Sequence, residues 1–310
     1  MKKLTLALIA GGKSAEREVS IKSGQQVFTA LNKDKYDIRR YDPLTDLAKL
    51  VQDAPALDAA LIIMHGRGGE DGSVQGLLDL LEIPYQGSGI LGSALGMNKE
   101  LSKLLYRQAG LKVARAFFFN RAEAPTPKEL ADRLGLPVVI KPVTEGSSIG
   151  VTIAPTLADL EKGLAEAFTF DSRVLVEEYL KGTEITGGVL GNNELKALPL
   201  VEIIPSSSYT FFDYEAKYQP GASEEICPAR LDAELTRKAQ QSALTAHRAL
   251  QCRGYSRTDM IVKDREVYVL ETNTIPGMTA TSLFPQGAQA MGLEFPDLLD
   301  TLIYLALEKP

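Results

Sequence analysis

The stretch Tyr255–Asn273 reads YSRTDMIVKDREVYVLETN, two β-rich runs on either side of a polar tip at Lys263–Glu266. That pattern predicts a β-hairpin. Side chains alternate faces along a strand, so Arg257 and Asp259 share a face, as do Glu271 and Asn273. Centring the hairpin on Arg265 sets Asp259 opposite Glu271 and Arg257 opposite Asn273. The register is a premise, because a slip of one residue would send every side chain to the other face. In that register one face carries two carboxylates, an amide oxygen and a guanidinium. Such oxygen donors suit Mg²⁺, which prefers one or two carboxylates completed by phosphates and water. Two ions sharing a bridging carboxylate could clamp phosphate oxygens during phosphoryl transfer. Charge alternation is also common on exposed strands, so a solvated face with routine ion pairs stays open at this point.

Working outward, KPVTEGSSIG (Lys141–Gly150) follows the apolar run Val138–Ile140. It offers a lysine at a strand end, a small-residue loop and another strand. Its backbone N–H groups and serine hydroxyls could receive phosphate. It is not a Walker loop, since G-x-x-x-x-G-K-[ST] is absent, and an ordinary hairpin loop competes with the phosphate reading. Lys99, in GMNKELSKLL, sits near a helix start and by itself reads as a solvated lysine. VLVEEYLKGTE (Val174–Glu184) is a strand ending in acidic and apolar residues, where backbone groups could read an adenine edge and Glu184 could hold a ribose diol, although a strand with a charged end is also routine.

The first third alternates strands with helices: Leu4–Ala10, a helix through about Leu31, Tyr36–Tyr41, Ala59–His65 and a helix at Ser73–Leu81. This implies a mostly parallel sheet with ligands at the carboxyl ends of its strands. A helical stretch from about Leu91 to Ala109 leads into a second unit of short strands and helices. There Thr126 before Pro127 and Thr156 before Leu157 are helix N-cap candidates. A third, β-rich unit contains a helix at Leu231–Leu250, the hairpin and a terminal helix at Pro296–Leu307. The expected division is an N-terminal α/β domain over 1–95, a central unit over 96–181 and a C-terminal unit over 182–310. The expected fold class is α/β joined to α+β.

With 310 residues the chain is long enough for two or three domains. The net charge of −6 comes from interspersed acids and bases, which argues against a nucleic-acid footprint. Cys227 and Cys252 lack disulfide-framework and metal-site spacing, so they read as buried thiols in a reducing, cytoplasmic compartment. The apolar start Leu4–Ala10 is too short for a secretory leader or a membrane span and reads as a strand.

Taken in order, GGKSAEREVS, HGRGGEDGSVQG, YQGSG, KPVTEGSSIG, EEYLKGTE, FFDYEAKY, RGYSRTDM and LETNTIPGMTATSLFP resemble the D-alanine–D-alanine ligase family over nearly the whole chain. The resemblance implies an ATP-grasp fold beneath an N-terminal parallel-sheet domain. It implies ATP as co-substrate and two Mg²⁺ (or Mn²⁺) on Asp259, Glu271 and Asn273. Lys99, Lys141 and Lys217 would contact phosphate, Glu177 and Leu180 would frame the adenine, and Glu184 would hold the ribose. Glu16 would hold the first D-alanine's ammonium, near His65, in a hydrogen-bonded group with Ser147 and Tyr218. Lys217 and Tyr218 belong to FFDYEAKY, a mobile loop in the family. Ser282 and Leu283 would bind the second D-alanine's carboxylate. Arg257 and the Gly277 N–H would stabilise the oxyanion formed when the second amine attacks an acyl phosphate. A homodimer and a part in peptidoglycan precursor synthesis are implied as well.

His65 alone would read as structural, and only its place in the ordered motifs changes that. His247 lies on a helix with no motif and is given no role. Asn98 stands where the family commonly has aspartate. The intact EAKY favours an amine nucleophile over D-lactate, with D-serine as a further rival second substrate. A nucleotide-binding dehydrogenase is disfavoured by the lack of G-x-G-x-x-G. A catalytically dead binding protein is disfavoured because Lys99, Lys141, Asp259, Glu271 and Asn273 are all present.

Overall fold

The computed structural model describes residues 3–205 and 223–308. The N-terminal region runs β1 (Leu4–Ala10), α1 (Arg17–Ala30), β2 (Tyr36–Tyr41), α2 (Leu47–Asp53), β3 (Ala59–Ile63), α3 (Ser73–Leu80), α4 (Ile90–Met97) and α5 (Lys99–Gln108). Its sheet has the order β2-β1-β3, all parallel. Leu6 and Leu8 of β1 face one core while Ala7 and Ile9 face another. A strand buried on both faces must be apolar throughout, which is why this segment looks like a leader yet is a central strand.

The central region contains β4 (Ala116–Asn120), α6 (Pro127–Leu134), β5 (Val138–Pro142), β6 (Thr152–Ala154), α7 (Leu157–Phe170) and β7 (Arg173–Glu178). The sheet order is β4-β7-β5-β6, antiparallel throughout. Val138 and Ile140 turn into the core under α6 and α7. Val139 and Lys141, one residue out of phase, turn into the cleft described below. Both predicted caps form: Thr126 makes a reciprocal capping box with Glu129, and the Thr156 hydroxyl accepts from the Asp159 N–H.

The C-terminal region contains β8 (Thr183–Gly191), β9 (Lys196–Ala197), β10 (Val201–Pro205), β11 (Ser223–Ile226), α8 (Ala233–Ala249), β12 (Gly254–Lys263), β13 (Glu266–Asn273), α9 (Leu283–Ala290) and α10 (Phe295–Leu307). Its antiparallel sheet has the order β11-β10-β8-β12-β13, with β9 beside β8. Met260, Val262, Val267 and Val269 pack with α8 and with Tyr106 of α5. The terminal helix α10 returns to the first region. Its Leu298, Leu299, Leu302 and Ile303 join Leu6, Leu8, Leu61 and Ile63 in one core.

Two features differ from the sequence expectation. The helix expected over Leu91–Ala109 is two helices, broken at Asn98. Asn98 is extended, and its side-chain oxygen accepts from the N–H groups of Glu100 and Leu101, both at 3.1 Å. An N-cap needs an oxygen acceptor and not a charge, so asparagine caps α5 as an aspartate would. The second feature is the hairpin register. The tip is a two-residue turn in which Asp264 and Arg265 both have positive φ, the twist-matched geometry for a hairpin. It pairs Lys263 with Glu266 through Met260 with Val269. The ladder then shifts, and Asp259 pairs with Glu271 and Arg257 with Asn273. Leu270 is the extra residue of this bulge. The expected pairing is therefore present, but the bulge brings it about.

Candidate active site

Two cavities meet at the polar face of β12 and β13. The first, of about 440 Å³, lies between the central and C-terminal sheets and is lined by Lys99, Lys141, Glu177, Leu180, Glu184, Asp259 and Glu271, among others. The second, of about 350 Å³, lies toward the N-terminal region and is lined by Glu16, His65, Ser147, Arg257, Asn273, Gly277, Ser282 and Leu283, among others. Strand pairing places Asp259 and Glu271 on the first cavity and Arg257 and Asn273 on the second. Every predicted site residue within the described part of the chain thus lines one cavity or the other. Lys217 and Tyr218 lie outside the described residues.

In the first cavity Lys141 is the next-to-last residue of β5, and its ammonium is 2.7 Å from Glu177. Glu177 also takes Lys103 of α5 at 2.8 Å, with the Lys103 and Glu177 side chains only 1% and 3% exposed. Burial alone would raise the Glu177 carboxyl, but the charges of Lys103 and Lys141 reverse that and hold it at about 2. Burial also works against the charge of Lys141, and the carboxylates of Glu177 and Glu271 outweigh it, so its pKa stands above the ordinary lysine value. For Lys103 burial prevails over the help from Glu177, and its pKa is lowered. Lys99 starts α5, donates to the Glu145 carbonyl at 2.5 Å and stands 3.5 Å from Glu271. The sequence reading missed Lys103. The available signal was its i,i+4 relation to Lys99 on one helix face.

The loop after β5 turns through Gly146 and two consecutive residues of positive φ, Ser147 and Ser148. The Ser147 hydroxyl donates to the Glu16 carboxylate. Arg67 of the β3–α3 loop reaches Glu145 at 2.9 Å and the Thr144 hydroxyl at 3.0 Å. The phosphate-loop candidate is therefore tied to the N-terminal region at two points.

The cation donors also meet. Asp259 accepts from the Thr186 hydroxyl at 2.6 Å, from two guanidinium nitrogens of Arg257 at 2.9 Å each, and from the Asn273 amide at 3.1 Å. Among the described residues no group of three His, Cys, Asp or Glu side chains is arranged to hold a metal. The trio of two carboxylates and one amide fits Mg²⁺ as a partial donor set, of the kind completed by phosphate oxygens and water.

In the second cavity Glu16 is the N-cap of α1 and only 4% exposed. The positive end of the helix favours its charge. Gly66 leaves room for it, since a Cβ there would stand 2.6 Å from a Glu16 oxygen. Gly277 lies against Ser282, whose hydroxyl accepts from the Thr279 N–H at 3.1 Å. Glu70, which the sequence reading did not select, accepts from the N–H groups of Gly66 at 2.8 Å and Ile275 at 3.4 Å. It thereby joins the loop after β3 to the loop after β13. Burial and then the charge of Glu16 push its carboxyl up to about 8.

His65 is buried, and its Nε2 has no hydrogen-bond partner among the described residues. Burial lowers its pKa to about 4, as it does for His247, whose Nδ1 meets the Ser256 hydroxyl at 2.7 Å. A folded pKa of about 4 against an ordinary 6.5 gives stability that is full above pH 6.5 and lost as pH falls through 4. Glu70 acts oppositely, its contribution being full below 4.5 and lost as pH rises through 8. Denaturant melts at pH 7 and pH 4 should therefore show a smaller acid-side loss in His247→Gln than in the unaltered chain, by roughly 3 kcal/mol. Equal losses would mean that His247 takes up its proton over the same pH range in the folded and unfolded chain.

Two family descriptions match this chain: D-ala D-ala ligase N-terminus over residues 42–88 and D-ala D-ala ligase C-terminus over residues 105–304. It is 61% identical to a D-alanine–D-alanine ligase of Syntrophobacter fumaroxidans over 99% of this chain and 98% of the relative. It is 53% identical to one of Desulfotalea psychrophila, over 99% and 96%. The fold superposes on the Bacillus anthracis D-alanine–D-alanine ligase complexed with ATP with a TM-score of 0.86, at 37% identity and covering 98% and 97% of the two chains. The VanG D-Ala:D-Ser ligase of Enterococcus faecalis gives 0.84 at 34% identity, covering 98% and 100%. Full-length similarity at this level, on a fold whose cavities gather the motif residues, means that the chain belongs to the D-alanine–D-alanine ligase family.

Proposed function

We propose that this enzyme joins two D-alanines into D-alanyl-D-alanine through an acyl phosphate, converting ATP to ADP and phosphate. The observation that carries the reading is the meeting of a lysine-lined cleft and a small polar cavity at one hairpin face. Phosphoryl donor and acceptor can be brought together there while both are shielded from water.

Glu16 receives the ammonium of the first D-alanine, with His65 beside it. The carboxylate oxygen of that substrate bonds to the γ-phosphorus as the bond to the β-phosphate oxygen breaks and ADP leaves. Lys99 and Lys141 neutralise charge on the transferring group, while Leu180 and Glu184 seat adenine and ribose. Bound at Asp259, Glu271 and Asn273, Mg²⁺ or Mn²⁺ would add further neutralisation of phosphate charge. Ser282 and Leu283 hold the carboxylate of the second D-alanine. Its uncharged amine bonds to the acyl carbon, Arg257 and the Gly277 N–H take the oxyanion, and the bond from the acyl carbon to the bridging oxygen breaks, so that phosphate leaves with that oxygen and with the proton given up by the amine nitrogen. Lys217 and Tyr218 would complete the enclosure.

We also read the enzyme as a cytoplasmic homodimer serving cell-wall precursor synthesis. Both cysteines are free thiols, which suits a reducing compartment. Exposed Leu80, Ile90 and Leu91 on α3 and α4 suit a covered face. Among the described residues no helix is long and apolar enough to cross a membrane.

The test is phosphate release from Mg·ATP with mass analysis of products, using D-alanine, L-alanine, and D-alanine mixed with D-serine or D-lactate. D-alanine-dependent release yielding D-alanyl-D-alanine is expected. A strongly preferred mixed product would move the assignment of the second substrate.

A further inference from the structure

We propose that Lys103 is a positioning residue for phosphate binding, neutralising Glu177 so that this carboxylate does not cancel the positive charge that Lys141 offers to the triphosphate. The inference rests on reading the first cavity as the nucleotide site.

The geometry is a row of three charges. Glu177 stands between Lys103 at 2.8 Å and Lys141 at 2.7 Å. Lys103 is closed off beneath the cleft with a side chain 1% exposed, whereas Lys141 lines the cleft and its side chain is 15% exposed. Two positive charges share one negative charge, so the trio carries a net charge of one, and only Lys141 can present it to a ligand. Without Lys103, Glu177 and Lys141 form a neutral pair, and both carboxylate oxygens are left to draw the Lys141 ammonium inward. In a site screened from water such a change is felt strongly.

The local sequence supplies this arrangement economically. Lys99 and Lys103 lie one turn apart on the buried face of α5. The helix start is fixed by the Asn98 cap and by the Lys99 N–H donating to the Val143 carbonyl at 3.1 Å, just beyond β5. A single short helix thus places one lysine beside Glu271 and another behind Glu177. The competing reading makes Lys103 only the counter-ion that allows Glu177 to be buried. It predicts a loss of stability on substitution but no selective loss of phosphate binding.

The experiment is equilibrium binding of Mg·ATP and of adenosine to the unaltered enzyme, Lys103→Met and the double variant Lys103→Met/Glu177→Gln, with folding checked by thermal melts. Lys103→Met should weaken ATP binding about tenfold or more and leave adenosine binding within about twofold. The double variant should bring the ratio of ATP to adenosine affinity back to within a few-fold of that of the unaltered enzyme, because Lys141 is then released from the Glu177 carboxylate. Lys103→Gln keeps an N–H donor for Glu177 and carries the same expectation where the methionine variant does not fold. Undiminished ATP binding, equal loss of ATP and adenosine, or a double variant whose ratio of ATP to adenosine affinity is as low as that of the single would overturn the proposal. Failure of the unaltered enzyme to bind ATP would instead overturn the reading of the cavity, and the proposal with it.

Discussion

Arg257→Ala is expected to lower turnover roughly 10²-fold or more, the loss that follows removal of one oxyanion donor. Arg257 is 12% exposed, lines the second cavity and holds both oxygens of Asp259 at 2.9 Å. The substitution therefore has two possible routes to a slower enzyme, and steady-state constants separate them. If Arg257 acts on the oxyanion, kcat falls and the KM for ATP stays near its original value. If its main task is to hold Asp259, the KM for ATP rises with the loss. Arg257→Lys keeps a charge but not the planar fork, and it should recover only a minor part of the rate. Turnover unchanged in Arg257→Ala would refute a role in the chemical step.

Glu16→Ala should lower kcat/KM for D-alanine by about 10²- to 10³-fold, the scale of truncating one member of a buried charge pair. Glu16 is buried at the start of α1 beside the Ser147 hydroxyl and Gly66 and lines the second cavity, so its removal takes away a fixed charge from the wall of that cavity. Equilibrium binding of ATP should be nearly unaffected, because Glu16 lies on the second cavity and not the first. Glu16→Gln keeps the size and an acceptor for Ser147 while removing the charge. It should lose less than the alanine variant, and the remainder measures attraction to the substrate ammonium. Comparable loss of ATP binding in either variant would show that Glu16 holds the phosphate loop through Ser147 and does not chiefly bind D-alanine.

These expectations draw on residues that differ in how legible they were. Lys141 and Val139 alternate with Val138 and Ile140, so their exposure to a cleft follows from the period of a strand. The caps at Thr126 and Thr156 follow from side-chain chemistry one turn long. Lys103 and Glu70 were passed over for the opposite reason. A lysine on a short helix and a glutamate in a glycine-rich loop are ordinary surface residues until partners arrive from elsewhere. Glu177 comes to Lys103 from β7, and the Ile275 N–H comes to Glu70 from beyond β13.

The hairpin marks the division most sharply. The sequence by itself determined that Arg257 shares a face with Asp259 and Glu271 with Asn273, because successive side chains of a strand must oppose one another. It also determined the buried central strand β1, the caps and the ordered motifs of the family. Only the tertiary structure decided that the two acidic residues pair. The tight Asp264–Arg265 turn sets a register that a straight ladder would carry past them, and the extra residue Leu270 corrects it. It alone also decided that α10 packs onto β1 and β3 in one core and that the two cavities meet at this hairpin. Such features depend on contacts between segments far apart in the chain, and their energies belong to pairs of residues that local sequence periodicity does not bring together.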